Sequence, residues 1–419
     1  MKIDLQISLD GEWASIATCE RSAVSGGWLE YDHAYVVDQK DSPHNRAGLL
    51  YPVNFDIHSF NTLPAFVVDI LPAGAGRRVW LKRLDKKDGE SVELDWELLS
   101  VGAGNPPGNL RVRQSVIEPP EPPHVGFSMD DIVAKKSDFI EYAEEMGAVV
   151  TGATDIPGDA PKFAVVTDVN GKWHPDGALR PEMIVSSWIV KFPRGKQAAD
   201  KLILRNEAQY YEVARWFGIR TGDKLAYRDN CLFVPRFDRE RSGNKLLRHG
   251  LETLCSVANI SEYGRRGDHL TFCHAIATVA TAPAAEIMEY LKRDILNAAM
   301  RNVDNHGRNT AFLKRRGGPI ELSPLYDFAP MSLDPEGIPR ASLWHGMESA
   351  GRPDWVAVAK SLEGLVDVTH TIKFLSSQAS KVARIPAVMK QLGVEGRVIE
   401  EVAARCEAIA GDLEKAGNI

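Results

Sequence analysis

The stretch RNVDNHGRNTAFL, residues 301–313, places an aspartate, a histidine and an asparagine in one short polar segment. Asp304 precedes Asn309 by five residues, and His306 and Gly307 lie between them. An aspartate that is ionised at neutral pH can accept a proton, and carboxylate and amide oxygens are hard ligands suited to Mg²⁺. Taken alone, such a stretch is more often a plain polar turn, because Asn, Asp and Gly are favoured in loops.

A further carboxylate follows in LSPLYDFAP, where Asp327 stands eighteen residues beyond Asn309. Alone, an Asp–Phe pair is typical of an ordinary strand end. Protein kinases have a catalytic aspartate five residues before an Mg²⁺-binding asparagine, followed by an Asp-Phe-Gly element whose aspartate carries Mg²⁺. Asp304, Asn309 and Asp327 occur in that order, and together they favour an Mg²⁺ clamp built from two loops.

A single lysine interrupts the apolar, β-rich run SSWIVKF, residues 186–192. A lysine is unusual in an apolar strand unless its ammonium group finds a partner. Lys191 is therefore a candidate for binding ATP phosphates, and Glu207 on the following helix is its candidate ion-pair partner. The alternative is a lysine on an edge strand that reaches water.

The segment TGATDIPGDAPKF, residues 151–163, is small and punctuated by Gly and Pro before a predicted strand. Such a loop can let backbone amides approach phosphate groups. An irregular surface loop is an equally good interpretation of these residues alone. The sequence contains no G-x-S-x-G, H-E-x-x-H or dinucleotide-binding glycine motif.

Composition narrows the class of protein. The 419 residues include 44% hydrophobic and 26% charged residues and carry a net charge of −7, so any DNA contact would be local or made through a partner. The five cysteines are far apart and form no C-x-x-C pair, which favours reduced thiols over disulfides or a zinc site. The N-terminus does not resemble a signal peptide, and no segment approaches the ~18 apolar residues that span a bilayer. We expect a cytoplasmic protein with no membrane partner.

Local patterns predict the elements that must position these residues. Asp10-Gly11 predicts a hairpin turn, and Ser128 with Asp131 predicts a capped helix through about residue 146. Apolar residues at helical spacing predict a helix from about residue 198 to 217, with a stop at Gly218. Beyond residue 240 the pattern is largely helical outside the two polar loops.

The segment IEPPEPPH, residues 117–124, has four prolines in eight residues and predicts a semi-rigid linker. Strand-rich sequence follows it, and helical sequence comes after that. This order predicts an α+β, two-lobed protein with a cleft between the lobes. We expect an N-terminal subdomain at 1–124, a small lobe with the phosphate loop at 125–235, and a helical lobe at 236–419.

These motifs occur in an order that closely resembles the HipA family of bacterial toxin kinases, over nearly the whole chain. The segments LPAFVVDILPAGAGRR and LLSVGAGNPPGNLRV resemble its N-terminal subdomain, and KFP, NEAQYYEVARWFGI and RFDR resemble its small lobe and hinge. The most specific motif is N-x-x-x-R-N-x-D-x-H-x-x-N, which runs from Asn297 to Asn309.

The resemblance implies a protein-kinase-like fold that transfers the γ-phosphoryl group of ATP to a protein serine or threonine. Asp304 would be the catalytic base, Asn309 and Asp327 would bind Mg²⁺, and Lys191 would bind phosphate. The remaining nucleotide-site residues implied by the resemblance are the phosphate loop Pro157, Gly158, Asp159, Ala160, Pro161 and Lys162, the adenine-lining Pro235, Arg236 and Phe237, and His306, Gly307, Arg308 and Tyr326.

The resemblance also implies partners. Proteins of this family pair with a HipB-like helix-turn-helix antitoxin, and DNA is reached only through that antitoxin. The implied substrate is a component of translation such as an aminoacyl-tRNA synthetase, whose phosphorylation induces dormancy and persistence.

Two positions depart from the family pattern. Asp155 stands where the phosphate loop often carries an autophosphorylated serine, so it would either prevent self-inactivation or mimic its product, and Thr151 or Thr154 would be alternative sites. Pro235 replaces an acidic residue at the hinge and lacks an N–H donor. These departures leave open a rival interpretation, a nucleotide-binding pseudokinase that regulates an antitoxin, and a third, a kinase of a small molecule or lipid.

Overall fold

The computed structural model describes residues 1–22, 26–89, 91–150 and 162–418. In chain order its strands are β1 (Lys2–Leu9), β2 (Glu12–Arg21), β3 (Gly27–Tyr31), β4 (His58–Phe60), β5 (Leu110–Val112), β6 (Val149–Val150), β7 (Lys162–Thr167), β8 (Trp173–Pro175), β9 (Ser186–Lys191), β10 (Ala226–Arg228), β11 (Cys231–Pro235), β12 (Arg239–Ser242), β13 (Lys245–Arg248), β14 (Gly250–Thr253), β15 (Gly267–Asp268), β16 (Ala311–Lys314), β17 (Ile320–Leu322), β18 (Ser342–Leu343), β19 (Glu348–Ser349) and β20 (Arg352–Pro353).

The α-helices, again in chain order, are α1 (His33–Asp38), α2 (Ala65–Val68), α3 (Gly74–Arg83), α4 (Val92–Gly102), α5 (Met129–Val133), α6 (Ser137–Glu145), α7 (Ala198–Phe217), α8 (Leu254–Val257), α9 (His269–Val279), α10 (Pro283–Ala299), α11 (Trp355–Ser361), α12 (Val368–Ser377), α13 (Ala379–Gln391) and α14 (Gly396–Ala416).

Spatial contacts divide the chain into two compact units. The first unit comprises Met1–Gly195, Ala226–Gly264 and Phe312–Gly318, and the second comprises Lys196–Leu225, Arg265–Ala311 and Pro319–Ile419. The first unit contains the large sheets and the second contains the long helices, so the predicted α+β class is confirmed. The boundaries predicted at residues 124 and 235 remain predictions.

An antiparallel sheet in the order β4-β3-β2-β1-β5 opens the first unit. Its β1–β2 hairpin turns at Asp10-Gly11, where both residues have positive φ (50° and 86°), so the predicted turn is confirmed. Alternate residues of β1, among them Ile3, Leu5 and Ile7, are fully buried against α4, which supplies Trp96, Leu98 and Leu99 to the same core.

A second antiparallel sheet of the first unit runs β10-β11-β9-β7-β6, with β8 paired to β7. The predicted strand at 186–192 is β9, and it lies between β11 and β7. Phe139 of α6 is fully buried against this sheet together with Phe163, Val190 and Phe233. Because β9 is paired on both sides, its backbone is fixed at the centre of the sheet.

Two of the predictions about elements are wrong. The Ser128–Asp131 capping box is present, but the helix ends at Val133, because Lys135 adopts φ 50°, which a continuous helix cannot accommodate. The chain beyond residue 240 is also less helical than expected, since β12 and β13 pair as a hairpin at residues 239–248 and β14 follows.

Helix α7 matches its predicted limits and ends at Gly218, which adopts the left-handed conformation at φ 92°. In the second unit α10 packs against α9 and α14, and α13 packs against α14 and α7. No helix in the described parts of the chain is long and apolar enough to cross a membrane.

All five cysteines are buried as free thiols. Cys19, Cys231 and Cys255 lie in the first unit, and Cys273 and Cys406 lie in the second. Burial raises the pKa of Cys231 to about 11 and that of Cys406 to about 12. The five cysteines are unpaired, as their spacing predicts, and their reduced state in the cell stays a prediction.

Candidate active site

Helix α10 is the scaffold of the candidate site in the second unit. Its apolar face, with Ile287, Leu291 and Ile295, is fully buried. Its other buried positions are charged, and they bind the loops around them. Glu286 Oε2 accepts from the Leu322 backbone N–H at 2.8 Å, and Arg293 donates to the Ser323 carbonyl at 2.6 Å. These bonds fix β17, the strand that leads to Asp327.

The predicted catalytic loop begins where α10 ends. Arg301 has φ 53°, which turns the chain out of the helix. Asn302 then bonds back to Asn297, because its backbone N–H donates to the Asn297 carbonyl at 3.0 Å and its amide donates to Oδ1 of Asn297 at 2.9 Å. The asparagines of the motif therefore have a structural role: they tie the start of the loop to the last turn of α10.

Asp304 is in contact with both His306 and Asn309. The His306 Nε2 atom is 3.4 Å from Oδ1 of Asp304, and the amide Nδ2 of Asn309 donates to the Asp304 backbone carbonyl at 2.9 Å. This bond uses the Asn309 amide N–H as a donor, so Oδ1 is the side-chain atom left to accept a bond or bind a cation. Gly307, Arg308 and Asn309 form a 3₁₀ turn whose residues are buried. The 3.4 Å approach to Asp304 does not have hydrogen-bond geometry, and neither ring nitrogen of His306 has a hydrogen-bond partner among the described residues.

Asn305, which is not among the predicted site residues, holds this loop in place. Its Oδ1 accepts from the backbone N–H groups of Ala341 and Ser342 at 3.1 and 3.0 Å, and its Nδ2 donates to the Ser342 carbonyl at 3.1 Å. The Asn305 amide thus pairs with the backbone N–H and carbonyl of Ser342 in the way that the backbone of a neighbouring strand would. No sequence signal identifies it, because its partners lie 36 and 37 residues away.

A buried polar cluster lies behind Asn305. His269 Nδ1 is 2.7 Å from the Tyr290 hydroxyl, and its Nε2 is 3.3 Å from Oδ1 of Asp294. Asp294 in turn accepts from Arg340 at 2.5 Å and from the Trp344 indole N–H at 2.8 Å. Burial lowers the pKa of His269 to about 4, so the ring is neutral at physiological pH. The sequence signal that could have indicated this cluster is Asp294, an acidic residue on the buried face of α10.

Asp327 is positioned by its neighbours. It adopts φ 51°, in the left-handed region that Asp tolerates better than most residues. Tyr326 donates its hydroxyl to the Arg308 carbonyl at 2.7 Å, which links the two predicted loops. Phe328 is buried, and its ring packs against Tyr210 of α7 with centroids 5.4 Å apart. Contacts on both sides therefore fix the backbone at Asp327.

Asp304, His306, Asn309, Tyr326 and Asp327 line one cavity of about 20 Å³, the space of about one water molecule or small ion. Among the groups that line it, the carboxylates of Asp304 and Asp327 and the amide of Asn309 present oxygen atoms of the kind that Mg²⁺ binds. Mg²⁺ is bound through one or two carboxylates together with substrate phosphates and water. In the described parts of the chain, no three His, Cys, Asp or Glu side chains form a metal-binding group by themselves.

The strand lysine lies in the first unit. Lys191 is 7% exposed and stands at the centre of the sheet, directly opposite Leu232 on β11 and Lys162 on β7. The alternative of an edge-strand lysine is therefore wrong. Glu207, its candidate partner, is buried on α7 in the second unit.

The predicted adenine-lining residues continue from β11. Pro235 stands opposite Trp188, and the Arg236 N–H donates to the Ser187 carbonyl at 3.0 Å. The Arg236 guanidinium is buried and donates to Asp176 at 2.6 Å and to Asp238 at 2.9 and 2.7 Å. The prediction that 235–237 lines adenine thus rests on backbone groups and on half-buried Phe237.

The structure brings five of the predicted residues into the cavity of the second unit and places Lys162, Lys191 and Pro235–Phe237 in the first unit. Pro157, Gly158, Asp159, Ala160 and Pro161 lie outside the described residues. So do Asp155, Thr151 and Thr154, the positions at which self-inactivation is in question.

The protein is similar to a solved structure over its whole length, and its sequence matches a protein family. The structure superposes on HipA of Shewanella oneidensis, solved in a complex with HipB and operator DNA, with a TM-score of 0.72 and 17% identity over 100% of this chain and 99% of that one. This likeness confirms the predicted protein-kinase-like fold. A family model for the HipA-like C-terminal domain matches residues 154–393, more than half of the chain. The chain belongs to the HipA family.

A curated relative points the same way. The Sinorhizobium fredii protein named "Putative kinase Y4mE" is 27% identical over 193 residues, which cover 43% of this chain and 45% of that protein. The match therefore spans less than half of the relative.

Proposed function

We propose that this protein is an ATP- and Mg²⁺-dependent serine/threonine protein kinase that acts as the toxin of a cytoplasmic toxin–antitoxin pair. The observation that carries the proposal is the shared cavity of Asp304, Asn309 and Asp327. Phosphoryl transfer depends on positioning and charge stabilisation more than on covalent chemistry, and this cavity has the groups that both require.

In this proposal Asp304 accepts the proton of the substrate hydroxyl, and the 2.9 Å bond from Asn309 to its backbone carbonyl fixes its position. Asn309 and Asp327 hold Mg²⁺, which when bound neutralises charge on the transferred phosphate. His306, Gly307, Arg308 and Tyr326 complete the nucleotide site beside them. Lys162 and Lys191 bind phosphate oxygens, Pro157 to Pro161 cover the phosphates, and Pro235 to Phe237 line the adenine.

The partners follow from the family and from the structural neighbour. The Shewanella protein was solved with HipB and operator DNA. We propose a HipB-like helix-turn-helix antitoxin for this chain, with DNA contacted only through it. The net charge of −7 supports an indirect role in DNA binding. The proposed substrate is a component of translation such as an aminoacyl-tRNA synthetase.

The test is a transfer assay with γ-labelled ATP, Mg²⁺ and a bacterial lysate from which nucleotides have been removed. We expect one or a few labelled proteins, with phosphate on serine or threonine. Asp304→Asn should reduce labelling by roughly 10³-fold or more, since a positioned base and the geometry around it are lost together. Asp223→Asn, at an exposed position of the same unit, should leave labelling unchanged.

ATP binding without labelling would contradict the proposal and support a nucleotide-binding pseudokinase. Labelling that survives Asp304→Asn would contradict the assigned base. Label recovered in a lipid or a small molecule, with none in protein, would support the third interpretation.

A further inference from the structure

A second cavity, of about 470 Å³, lies wholly within the first unit. Its walls come from β2, β5, β13, α3, the end of α4 and the segments 115–121, 146–147 and 176–184. Its volume falls in the range of small-molecule sites, which is about 300–1,000 Å³. Among the described residues, none of those predicted for the nucleotide site lines it. The apolar part of its wall is formed by Trp80, Val116, Ile117, Met146, Leu179 and Ile184.

The polar part of the wall includes the guanidinium groups of Arg111 and Arg248. The Asp176 carboxylate also lines the cavity, and it is paired with Arg236. Arg111 and Arg248 lie over the indole ring of Trp13, with Cζ atoms 3.9 and 5.1 Å from its centroid. Arg111 donates its Nε–H to Gln6 at 2.8 Å. Nε and Nη1 of Arg248 are buried, and the described part of the protein offers neither of them an acceptor. Leaving a buried donor unpaired is costly, so this wall is incomplete without a further acceptor.

The charge around Arg248 is unbalanced. The two carboxylates that attract it, Asp176 and Asp238, are already engaged by other guanidinium groups. Arg236 donates to both of them, and Arg239 donates to Asp238 at 2.7 Å. Three buried guanidinium groups therefore share two carboxylates.

Arg111 adds to this positive charge. Burial lowers the pKa of Arg248, and burial together with the nearby charge of Arg248 lowers the pKa of Arg111 to about 10. Both shifts are in the direction expected for buried guanidinium groups whose positive charge is not fully offset by nearby carboxylates. Of the acidic residues at the rim, Glu118 is exposed and Glu121 pairs with Arg180. The interior wall therefore carries excess positive charge.

We propose that this arginine cavity, lined by Arg111 and Arg248, binds a small metabolite that carries a phosphate or carboxylate group on an aromatic or apolar body. A guanidinium group presents its N–H donors as a planar fork that matches either anion. The anion would accept from the unpaired donors of Arg248 and offset the excess charge. The apolar wall would cover the body of the ligand.

The experiment uses the full-length protein and three benzene-ring probes: phenyl phosphate, phenylacetate and the neutral benzyl alcohol. Binding is measured by saturation-transfer NMR and calorimetric titration. We expect binding of at least one anionic probe and none of benzyl alcohol. Arg111→Met and Arg248→Met should each weaken it by roughly tenfold or more, because each removes a charge-assisted bond. Arg113→Met, two residues away but exposed and outside the cavity, should leave it unchanged.

Two controls locate the site and exclude unfolding. A non-hydrolysable ATP analogue with Mg²⁺ should not displace the probe, and displacement would overturn the proposal. The thermal midpoint of Arg248→Met should be no lower than that of the parent protein, because the change removes an unpaired buried charge. Equal probe affinity in the parent and both cavity variants, or no anion binding by the parent, would also overturn it. The affinities of the two anions identify the preferred head group.

Discussion

Asn305→Ala gives the sharpest test of how the catalytic loop is positioned. The side chain of Asn305 makes three hydrogen bonds to Ala341 and Ser342. Its truncation removes the side-chain partner of the Ser342 N–H and carbonyl, whereas the Ala341 N–H keeps the Val303 carbonyl as an acceptor at 3.0 Å. Each buried polar group left unpaired costs about 1–3 kcal/mol, and water can reach part of the space that the amide vacates. We therefore expect a loss of about 2–4 kcal/mol of stability in the second unit.

Activity should fall as well, because Asp304 is the residue before Asn305. A displacement of about 1 Å at a reacting group can cost about 10²-fold in rate. On the proposed kinase function, Asn305→Ala should lower kcat by roughly tenfold to a hundredfold and change KM for ATP less. The thermal midpoint should fall by roughly 5–10 °C, as expected for a unit of this size.

The assay pairs steady-state kinetics with thermal unfolding for three variants. Asn305→Asp keeps the acceptor for both N–H groups and loses the donor, so its midpoint should lie between those of the parent and Asn305→Ala. Asn244→Ala, at an exposed position of the β12–β13 hairpin, is the matched control. Parental kcat and midpoint in Asn305→Ala would refute the positioning role.

Three further outcomes are expected. Lys191→Met should raise KM for ATP and lower kcat by roughly 10²-fold, because it removes the buried ammonium group proposed to bind phosphate. Lys172→Met, at an exposed position, should match the parent in the same kinetics. Asn309→Ala should raise the Mg²⁺ concentration for half-maximal activity by roughly tenfold, and an unshifted Mg²⁺ titration would contradict the ligand role. The pKa of His269 is about 4 in the folded protein, below the ordinary 6.5, so the unfolded chain binds more protons between these two pH values. The free energy of unfolding should therefore fall by up to about 3 kcal/mol as the pH drops from 6.5 to 4. His269→Gln should flatten that dependence in thermal unfolding from pH 4 to 7.

Local signals explain what could be predicted from the sequence. Helix α7 carries its apolar spacing and its Gly218 stop within one continuous segment, and the Asp10-Gly11 turn is likewise contained in two residues. The spacing of Asp304, Asn309 and Asp327 is also a property of the chain itself. These features need no knowledge of distant contacts.

What could not be predicted depends on partners far along the chain. Asn305 bonds Ser342 of β18, 37 residues away, and Arg236 bonds Asp176 across 60 residues, so neither role leaves a local pattern. The short strands β12 and β13 carry mostly charged residues, and their order comes from pairing with each other and from the burial of Leu246 against Val166, Leu179 and Ile184. Lys135 interrupts a capped helix without a glycine or proline to signal the break.

The buried cysteines make local unfolding of this protein measurable by thiol alkylation. Alkylating reagents react with thiolates that they can reach, and burial denies them all five thiols in the folded chain. Each modified cysteine would therefore record a local unfolding event, and mass spectrometry would assign the event to Cys19, Cys231 or Cys255 in the first unit or to Cys273 or Cys406 in the second. Time courses of modification with and without nucleotide would then show which unit a ligand stabilises, with no engineered label.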